Sequence, residues 1–429
     1  MKTIFSVLAL MLGTFIAANA QTGTWSGELD VQGMKLPLVF HLDDEAPTMD
    51  SPVQGAKGIP VQLERDSSGK LIVSIPAIGA RYEGQWQGEK IEGSFSQMGM
   101  TLLLVLVPGE VKHNRPQTPQ PPFPYKTEEV SFTNGDAVLK GTLSMPEGAD
   151  RNTPVLIMVT GSGLQDRDET LFEHKPFAVI ADAFARAGIA TLRYDDRGFG
   201  ESTGDIVNMT EEDLKNDALA GITMLRERFD HVGVIGHSEG GSIAIMLASE
   251  KKADFIISLA GMAVSGKETM LYQNRLSLTI AGYSEEIIAG FCKNFGDALD
   301  AVVAGQPLPA VAEDLPEELQ MSYKTVTPQL SSPYFSSFVA MDLRPRLGDI
   351  ECPVLAFNGT KDQQVECESN IGALRDGLKN AKSVRLEKME SVNHMQQTCE
   401  TGRPEEYMEI EETISPKELE IMVEWIKSL

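Results

Sequence analysis

The pattern of hydrophobic and polar residues differs between two regions of the chain: short strand-like runs in the first, and alternating strand-like and helix-like segments in the second. Residues 21–111 contain short strand-like runs, such as Leu71–Ile75 and Leu102–Leu106, separated by turns that contain glycine and aspartate. Aromatic-and-glycine hairpin patterns surround Trp25 and Trp86. These features predict a small all-β domain, either a sandwich or a small barrel.

A proline-rich segment, residues 112–126, follows and predicts a linker, because proline fixes φ and removes a backbone donor. Residues 127–429 then carry a different pattern. Val130–Leu143 predicts a β-hairpin around Asn134-Gly135. Beyond it, apolar runs of strand length alternate with helical stripes, which predicts a mostly parallel sheet with helices on both faces. The predicted strands are Val155–Val159, Ile189–Tyr194, Val232–Ile235, Phe255–Leu259 and Pro353–Phe357.

The strand–helix alternation is interrupted between residues 262 and 347. Three helices are predicted there: Glu268–Ala281, Glu285–Val303 and Glu317–Tyr323. The insertion starts just after a strand end, where ligands bind in such sheets, so we interpret it as a helical lid. The alternative is a peripheral helical subdomain without a role in substrate binding. Further on, Ser415, Pro416 and Glu418 predict a helix start with a capping box.

The strongest chemical signal is Gly236-His237-Ser238-Glu239-Gly240, which lies between a predicted buried strand and a helix. This G-x-S-x-G pattern in that context predicts a nucleophile elbow, with Ser238 lifted above the sheet. A serine alcohol needs a base and a carboxylate that orients the base. In this arrangement the chain order is serine, acid, histidine.

One histidine, His394, follows Ser238 in the chain, which makes it the candidate base. Asp362, just past the strand that ends at Phe357, is the candidate acid, and Glu366 and Glu368 are the alternatives. Earlier polar residues receive other interpretations: His174 could line the site, His237 is a packed neighbour, and Asp195 and Asp196 are loop structure. The candidate oxyanion hole combines the backbone N–H of Glu239 with that of Ser162 or Gly163.

Several motifs together resemble a known family. They are Gly161–Gly163 with Asp166–Glu169, Asp195–Ser202, Gly236–Gly241, Asn358–Asp362 and Asn393-His394. On these residues, the part from 128 to 429 resembles bacterial carboxylesterases of the α/β-hydrolase superfamily that carry a small β-rich N-terminal domain. The resemblance implies an α/β-hydrolase fold and a Ser238–Asp362–His394 triad. Two departures stand out: there is no His-Gly-Gly-Gly loop, and the preceding region is too short for the β-propeller of prolyl oligopeptidases.

Charge and the N-terminus restrict location and partners. The formal net charge of −25 argues against nucleic acid or an anionic membrane as a partner. Lys2, the apolar run Ile4–Ala17 and Ala18-Asn19-Ala20 predict a signal peptide over residues 1–20, with Gln21 as the mature N-terminus. No cysteine follows the cleavage site, so a lipoprotein membrane anchor is not indicated. We therefore expect a periplasmic or extracellular protein.

The sequence thus predicts an exported serine hydrolase that cleaves small carboxylic esters through an acyl-enzyme on Ser238, without a metal or organic cofactor. A peptidase or thioesterase with the same triad is an alternative, and so is a non-catalytic binding protein on a hydrolase scaffold. Neither the acyl and alcohol preference nor the oligomeric state follows from the sequence. Cys367 and Cys399 lie at equal distances after Asp362 and His394, which suggests a disulfide between the two loops; the alternative is two free thiols.

Overall fold

The computed structural model describes residues 22–31, 34–43, 45–52, 56–65, 69–97, 99–110 and 113–429. The predicted signal peptide and Gln21 lie outside these residues. Within them, no helix combines the length and apolarity needed to cross a membrane. The chain divides into two compact units, the first reaching Asn114 and including Leu171–Glu173, and the second formed by Arg115–Thr170 and His174–Leu429.

In its described residues, the first unit is an antiparallel sheet of nine strands, which confirms the predicted all-β domain. The strands are β1 Thr24–Val31, β2 Met34–His41, β3 Thr48–Ser51, β4 Ala56–Pro60, β5 Gln62–Arg65, β6 Lys70–Ile75, β7 Ala80–Gln87, β8 Lys90–Gln97 and β9 Met100–Pro108. Their spatial order is β4-β3-β2-β1-β9-β8-β7-β6-β5. The two edge strands, β4 and β5, are joined in the chain by Val61 alone, so the sheet must curl until its edges meet.

Alternation of side chains fills the interior of this curled sheet. In β6, Leu71, Val73 and Ile75 are buried, whereas the residues between them are partly exposed. Trp25 and Trp86 meet edge to face with ring centroids 5.0 Å apart. The hairpin pattern around these two tryptophans therefore reflects their packing in one core.

The second unit contains an eight-stranded sheet. Its strands are β10 Lys126–Asn134, β11 Ala137–Met145, β12 Val155–Val159, β13 Ala190–Tyr194, β14 Val232–His237, β15 Ile256–Leu259, β16 Val354–Gly359 and β17 Val384–Met389. They lie in the order β10-β11-β13-β12-β14-β15-β16-β17. β11 pairs antiparallel with β10 and β13, and the remaining neighbours are parallel, as predicted.

Helices cover both faces of this sheet. They are α1 Pro176–Arg186, α2 Glu211–Arg226, α3 Glu239–Ser249, α4 Gly266–Ile280, α5 Glu285–Val303, α6 Glu317–Val326, α7 Pro333–Ala340, α8 Cys367–Gly377, α9 Pro404–Tyr407 and α10 Pro416–Lys427. Val155, Ile157 and Val159 of β12 belong to one core with α2, α3 and α8. Leu156 and Met158 belong to the opposite core, with α1 and α10. A strand buried on both faces must be apolar throughout, which explains the continuous apolar run.

The five predicted strands that correspond to β12–β16 agree with the observed ones to within two residues at each end, whereas the predicted hairpin begins four residues earlier, at Lys126. Several elements were not predicted, among them strand β17 and helices α7, α8 and α9. Strand β17 is a sheet edge that carries Arg385, Glu387 and Lys388, so its pattern is not apolar. Helix α7 is short and starts at a proline capped by Ser332, a composition that sequence patterns assign to loops.

The insertion between β15 and β16 is helical, as predicted, and consists of α4 to α7. Its helices share an apolar core of their own, separate from the two cores of the sheet. Residues of α5, such as Phe291, Phe295 and Leu299, lie at its centre. Ser265 caps α4 in a capping box with Glu268, and Ser284 caps α5.

The predicted capping box of the last helix is wrong in one respect. Ser415 is the N-cap of α10 and Pro416 its first residue, but the Ser415 side chain makes no capping bond. Glu418 is instead fully buried, and neither of its carboxyl oxygens has a partner among the described residues. Burial raises the pKa of Glu418 well above its ordinary value. Burial without a hydrogen-bond partner therefore favours the neutral, protonated form of this side chain in the folded protein.

We expect Glu418→Met to raise the free energy of unfolding by about 1–3 kcal/mol at neutral pH, because it removes buried oxygens without partners. The unfolded chain ionises Glu418 above about pH 4.3, whereas the folded chain keeps the proton, so wild-type stability falls as pH rises above that value. Urea unfolding at about pH 5 and about pH 8 measures both effects. Glu418→Gln cannot titrate and should lose this contribution to the pH dependence; an unchanged pH slope in that variant would contradict the assignment.

Candidate active site

The backbone at Ser238 adopts the strained turn that the sequence predicts. Strand β14 ends at His237, α3 begins at Glu239, and Ser238 between them has φ 53° and ψ −117°. Non-glycine residues rarely adopt such angles. A Cβ atom on Gly240 would lie 2.0 Å from the carbonyl oxygen of Val159, so glycine is required there. The Ser238 N–H donates to the carbonyl oxygen of Leu259 at 2.8 Å, which fixes the turn on the neighbouring strand.

The structure brings Asp362 and His394 together at the ends of neighbouring strands. Nδ1 of His394 lies 2.9 Å from Oδ2 of Asp362, and both side chains are buried. The other carboxylate oxygen of Asp362 accepts the backbone N–H groups of Gln364 and Val365, each at 2.8 Å. These hydrogen bonds fix the orientation of the carboxylate, which accepts a hydrogen bond from the protonated Nδ1 of His394. The Nε2 atom of His394, which makes no hydrogen bond to any described residue, is left as the basic nitrogen.

The alternative acids have other partners. Glu366 caps α8 by accepting the backbone N–H groups of Glu368 and Ser369. Glu368 pairs with Lys388. Asp196 accepts the Thr160 hydroxyl and the Gln165 N–H, which agrees with its interpretation as loop structure.

The loop Thr160–Gly163 after β12, here called the oxyanion loop, passes over the nucleophile. A Cβ atom on Gly161 would lie 3.4 Å from Cβ of Ser238. The Gly161 N–H donates to Glu169 at 2.8 Å, so it is not free for a substrate. The N–H of Ser162 has no partner among the described residues, whereas that of Gly163 donates to the Tyr334 hydroxyl. The backbone of Glu239 opens α3, where N–H groups lack intrahelical partners.

A buried acidic pair, Glu211 and Glu239, lies beside the elbow, and no sequence pattern predicts it. The hydroxyl of Tyr334 in α7 donates to Oε2 of Glu239 at 2.9 Å. Burial raises the pKa of Glu239. Burial and the charge of Glu239 raise the pKa of Glu211 to about 11. Repulsion between the two buried carboxyl groups therefore favours the protonated form of Glu211 beside Glu239.

The motif Asp166–Glu169 supports the oxyanion loop. Arg167 donates to Asp195 at 2.8 Å and also to Glu129 and Glu201. Glu169 is fully buried, and its Oε1 accepts the Gly161 N–H. The motif therefore ties the loop after β12 to the loop after β13.

His237 does more than pack. Its Nδ1 lies 2.9 Å from Oε1 of Glu169, and its Nε2–H donates to the carbonyl oxygen of His394 at 2.9 Å. By contrast, His174 does not line the site: it is buried and bonds Thr413 and the Tyr407 carbonyl oxygen. The sequence missed the role of His237 because the partners lie 68 and 157 positions away in the chain.

The helical insertion contacts both the acid and the elbow. The hydroxyl of Tyr272 in α4 donates to the carbonyl oxygen of Asp362 at 3.2 Å, and Gln273 donates to that of Gln364. Tyr334 of α7 reaches Glu239, as described above. These contacts place α4 and α7 next to the triad candidates.

The suggested disulfide is not formed. All four cysteines, which lie in the continuously described part of the chain, carry free thiols. The Cys367 thiol is directed to the carbonyl oxygen of Asn358, and that of Cys399 to Ser391 within its own loop. Equal offsets from Asp362 and His394 do not bring the thiols together, because α8 begins at Cys367 whereas Cys399 bonds back into a loop.

A strained serine elbow, an Asp–His pair and this strand order define an α/β-hydrolase. The family profile described as X-Pro dipeptidyl-peptidase (S15 family) matches residues 134–390. Because this match covers more than half of the chain, the protein belongs to that family. The match includes Ser238 and Asp362 and ends before His394.

Individual relatives are similar over parts of the chain. Esterase EstD of Thermotoga maritima is 35% identical over 170 residues, which cover 38% of this chain and 40% of EstD. An esterase of Pyrococcus furiosus, Pf2001, superposes with a TM-score of 0.43 and 19% identity over 66% of this chain and 90% of its own. Est1E from Butyrivibrio proteoclasticus superposes at 0.42 and 14% identity, over 70% and 98% of the two chains. Proline iminopeptidase of Mycobacterium smegmatis superposes at 0.43 and 16% identity, over 70% and 98%.

We expect Asp362→Asn to lower kcat by about 10⁴-fold, because an amide in place of the carboxylate favours the wrong tautomer of the histidine. Glu366→Gln is the matched control: it neutralises the rival acid on the same loop and should leave kcat unchanged. Steady-state kinetics of the purified variants on one substrate decide between the two carboxylates. Loss of activity in Glu366→Gln, with Asp362→Asn active, would reverse the assignment.

Proposed function

We propose that this protein is a serine hydrolase that cleaves carboxylic esters through an acyl-enzyme on Ser238. The observation that carries the proposal is the 2.9 Å contact between His394 Nδ1 and Asp362, together with a serine at φ 53° whose chain neighbour His237 is hydrogen-bonded to the backbone of His394. A serine becomes nucleophilic when an oriented histidine takes its proton, and these residues supply that arrangement.

In the proposed reaction, Ser238 Oγ attacks the ester carbonyl while His394 Nε2 takes the hydroxyl proton. Asp362 holds the tautomer and stabilises the imidazolium that forms. The negative charge on the carbonyl oxygen is met by the backbone N–H groups of Glu239 and Ser162, since that of Gly163 donates to the Tyr334 hydroxyl. His394 then gives its proton to the leaving alcohol, and water releases the acid by the same steps in reverse.

The family name favours a second candidate, the release of X-Pro dipeptides. Such an enzyme must recognise the free α-ammonium group of its substrate, which calls for an accessible carboxylate near the nucleophile. Four carboxyl groups, from two loops and the first residues of α2 and α3, surround the elbow, and all are buried: Glu169, Asp196, Glu211 and Glu239. The carboxyl groups of Glu169, Asp196 and Glu239 are hydrogen-bonded inside the protein, and that of Glu211 is buried beside Glu239. We therefore favour esters.

Hydrolysis of p-nitrophenyl esters from acetate to decanoate, compared with Ala-Pro-p-nitroanilide, tests the choice. We expect a higher kcat/KM on at least one ester than on the dipeptide, and a loss of about 10⁴-fold or more in kcat for Ser238→Ala. A fluorophosphonate should label the wild type and not Ser238→Ala. Preferential cleavage of the dipeptide would favour the second candidate, and full activity of Ser238→Ala would exclude both.

We also propose that the protein is exported, on the strength of the signal-peptide pattern in residues 1–20. N-terminal sequencing of the protein recovered from the periplasm or the medium should begin at Gln21. Recovery from the cytoplasm with the N-terminal residues intact would contradict export.

A further inference from the structure

The side chains of Glu169 and His237 form a chain of hydrogen bonds that crosses the active site. At one end, the Gly161 N–H of the oxyanion loop donates to Oε1 of Glu169. The same oxygen contacts Nδ1 of His237, whose Nε2–H donates to the carbonyl oxygen of His394. His237 is covalently attached to Ser238. One chain of contacts thus joins the oxyanion loop, the nucleophile and the base.

The two hydrogen bonds of the His237 ring require one proton more than a neutral imidazole and an ionised carboxylate carry together. A neutral imidazole has a single N–H, and the His394 carbonyl oxygen can only accept, so that N–H is used at Nε2. The proton between Nδ1 and Glu169 is therefore an additional one. Burial opposes a charge on His237, but the Glu169 carboxylate outweighs it and raises the pKa of His237.

Burying Glu169 and His237 is unfavourable for the stability of the fold, so a role in packing alone does not account for the pair. Both side chains are almost completely buried, and Oε2 of Glu169 has no partner among the described residues. Glu169 also has φ 54°, a conformation unusual for a residue with a side chain. Apolar residues of similar volume often replace buried ion pairs without loss of stability. Strain and unpaired polar atoms at one place are typical of functional sites.

We propose that Glu169 and His237 act as a positioning pair that fixes the oxyanion loop and the backbone of His394 on either side of Ser238. This role rests on the proposed serine hydrolase chemistry. The pair does not touch the reacting atoms; it acts through Gly161 and His394. The ring centroids of His237 and His394 are 4.9 Å apart, close enough for the orientation of one ring to restrict the other.

Three variants each remove a different hydrogen bond of the series that joins Gly161, Glu169, His237 and His394. His237→Gln keeps a donor for the His394 carbonyl oxygen and loses the charge pair with Glu169. His237→Asn keeps a donor toward Glu169 and loses the bond to His394. Glu169→Gln keeps an acceptor for Gly161 and leaves a ring that can donate to one side only. The matched control is Glu418→Gln, which neutralises another fully buried glutamate outside the site.

We expect each of the three variants to lower kcat by about 10–100-fold, the usual effect of a residue that orients a catalytic group. KM should change little, because no substrate contact is removed, and Glu418→Gln should keep wild-type kcat. The alkaline side of the kcat/KM profile adds a test: wild-type activity should fall as the pair loses its proton, and His237→Gln, which has no ring, should lack that step. The titratable groups facing His237 are Glu169, Asp362 and His394.

A measurement on the wild-type protein covers the case in which the variants do not fold. Nitrogen NMR of the chain labelled in its six histidines should show one ring with both nitrogens protonated at about pH 8, above the ordinary histidine pKa of about 6.5. Six neutral rings would overturn the proposal, as would a Glu169→Gln variant with wild-type kcat. Failure of the esterase proposal would give a different result: the wild-type protein itself would neither hydrolyse esters nor be labelled by a fluorophosphonate.

Discussion

The strained backbone of Ser238 is the constraint on which the catalytic unit depends. A residue at φ 53° costs about 1–3 kcal/mol and persists only where its surroundings hold it. Here the surroundings are the central strands: β15 accepts the Ser238 N–H through Leu259, and the glycine at position 240 lets α3 approach the end of β12. The two apolar cores on either side of the sheet keep these strands in register and so maintain the turn.

The fold and the triad candidates could be predicted from the sequence because both depend on local patterns. Apolar strands buried on two faces, a serine between glycines and one histidine after it can all be read within short windows. Contacts between distant loops leave no such signal. Glu169 and His237, and likewise Glu211 and Glu239, come together through the topology of the sheet. The Asp166–Glu169 motif stands out in the sequence but does not indicate its partners.

Several carboxyl groups are buried around the elbow, and burying each of them is unfavourable for the stability of the fold. Glu169, Glu211 and Glu239 lie within the protein, where a carboxyl group is stable only with a proton or a partner. Such groups stiffen loops that must hold a fixed geometry, at the expense of stability. The stability of the unit therefore depends on the apolar cores away from the site, which also hold the strands that maintain the turn at Ser238.

The separate core of α4 to α7 has a consequence for how this enzyme can change. The helices pack on one another through their own apolar residues and contact the acid and the elbow through a few polar side chains, such as Tyr272 and Tyr334. Residues that shape the space above Ser238 can thus vary without disturbing the strands that hold the triad candidates. Divergence in this lineage can proceed by exchange of one helical module while the reaction chemistry is inherited unchanged.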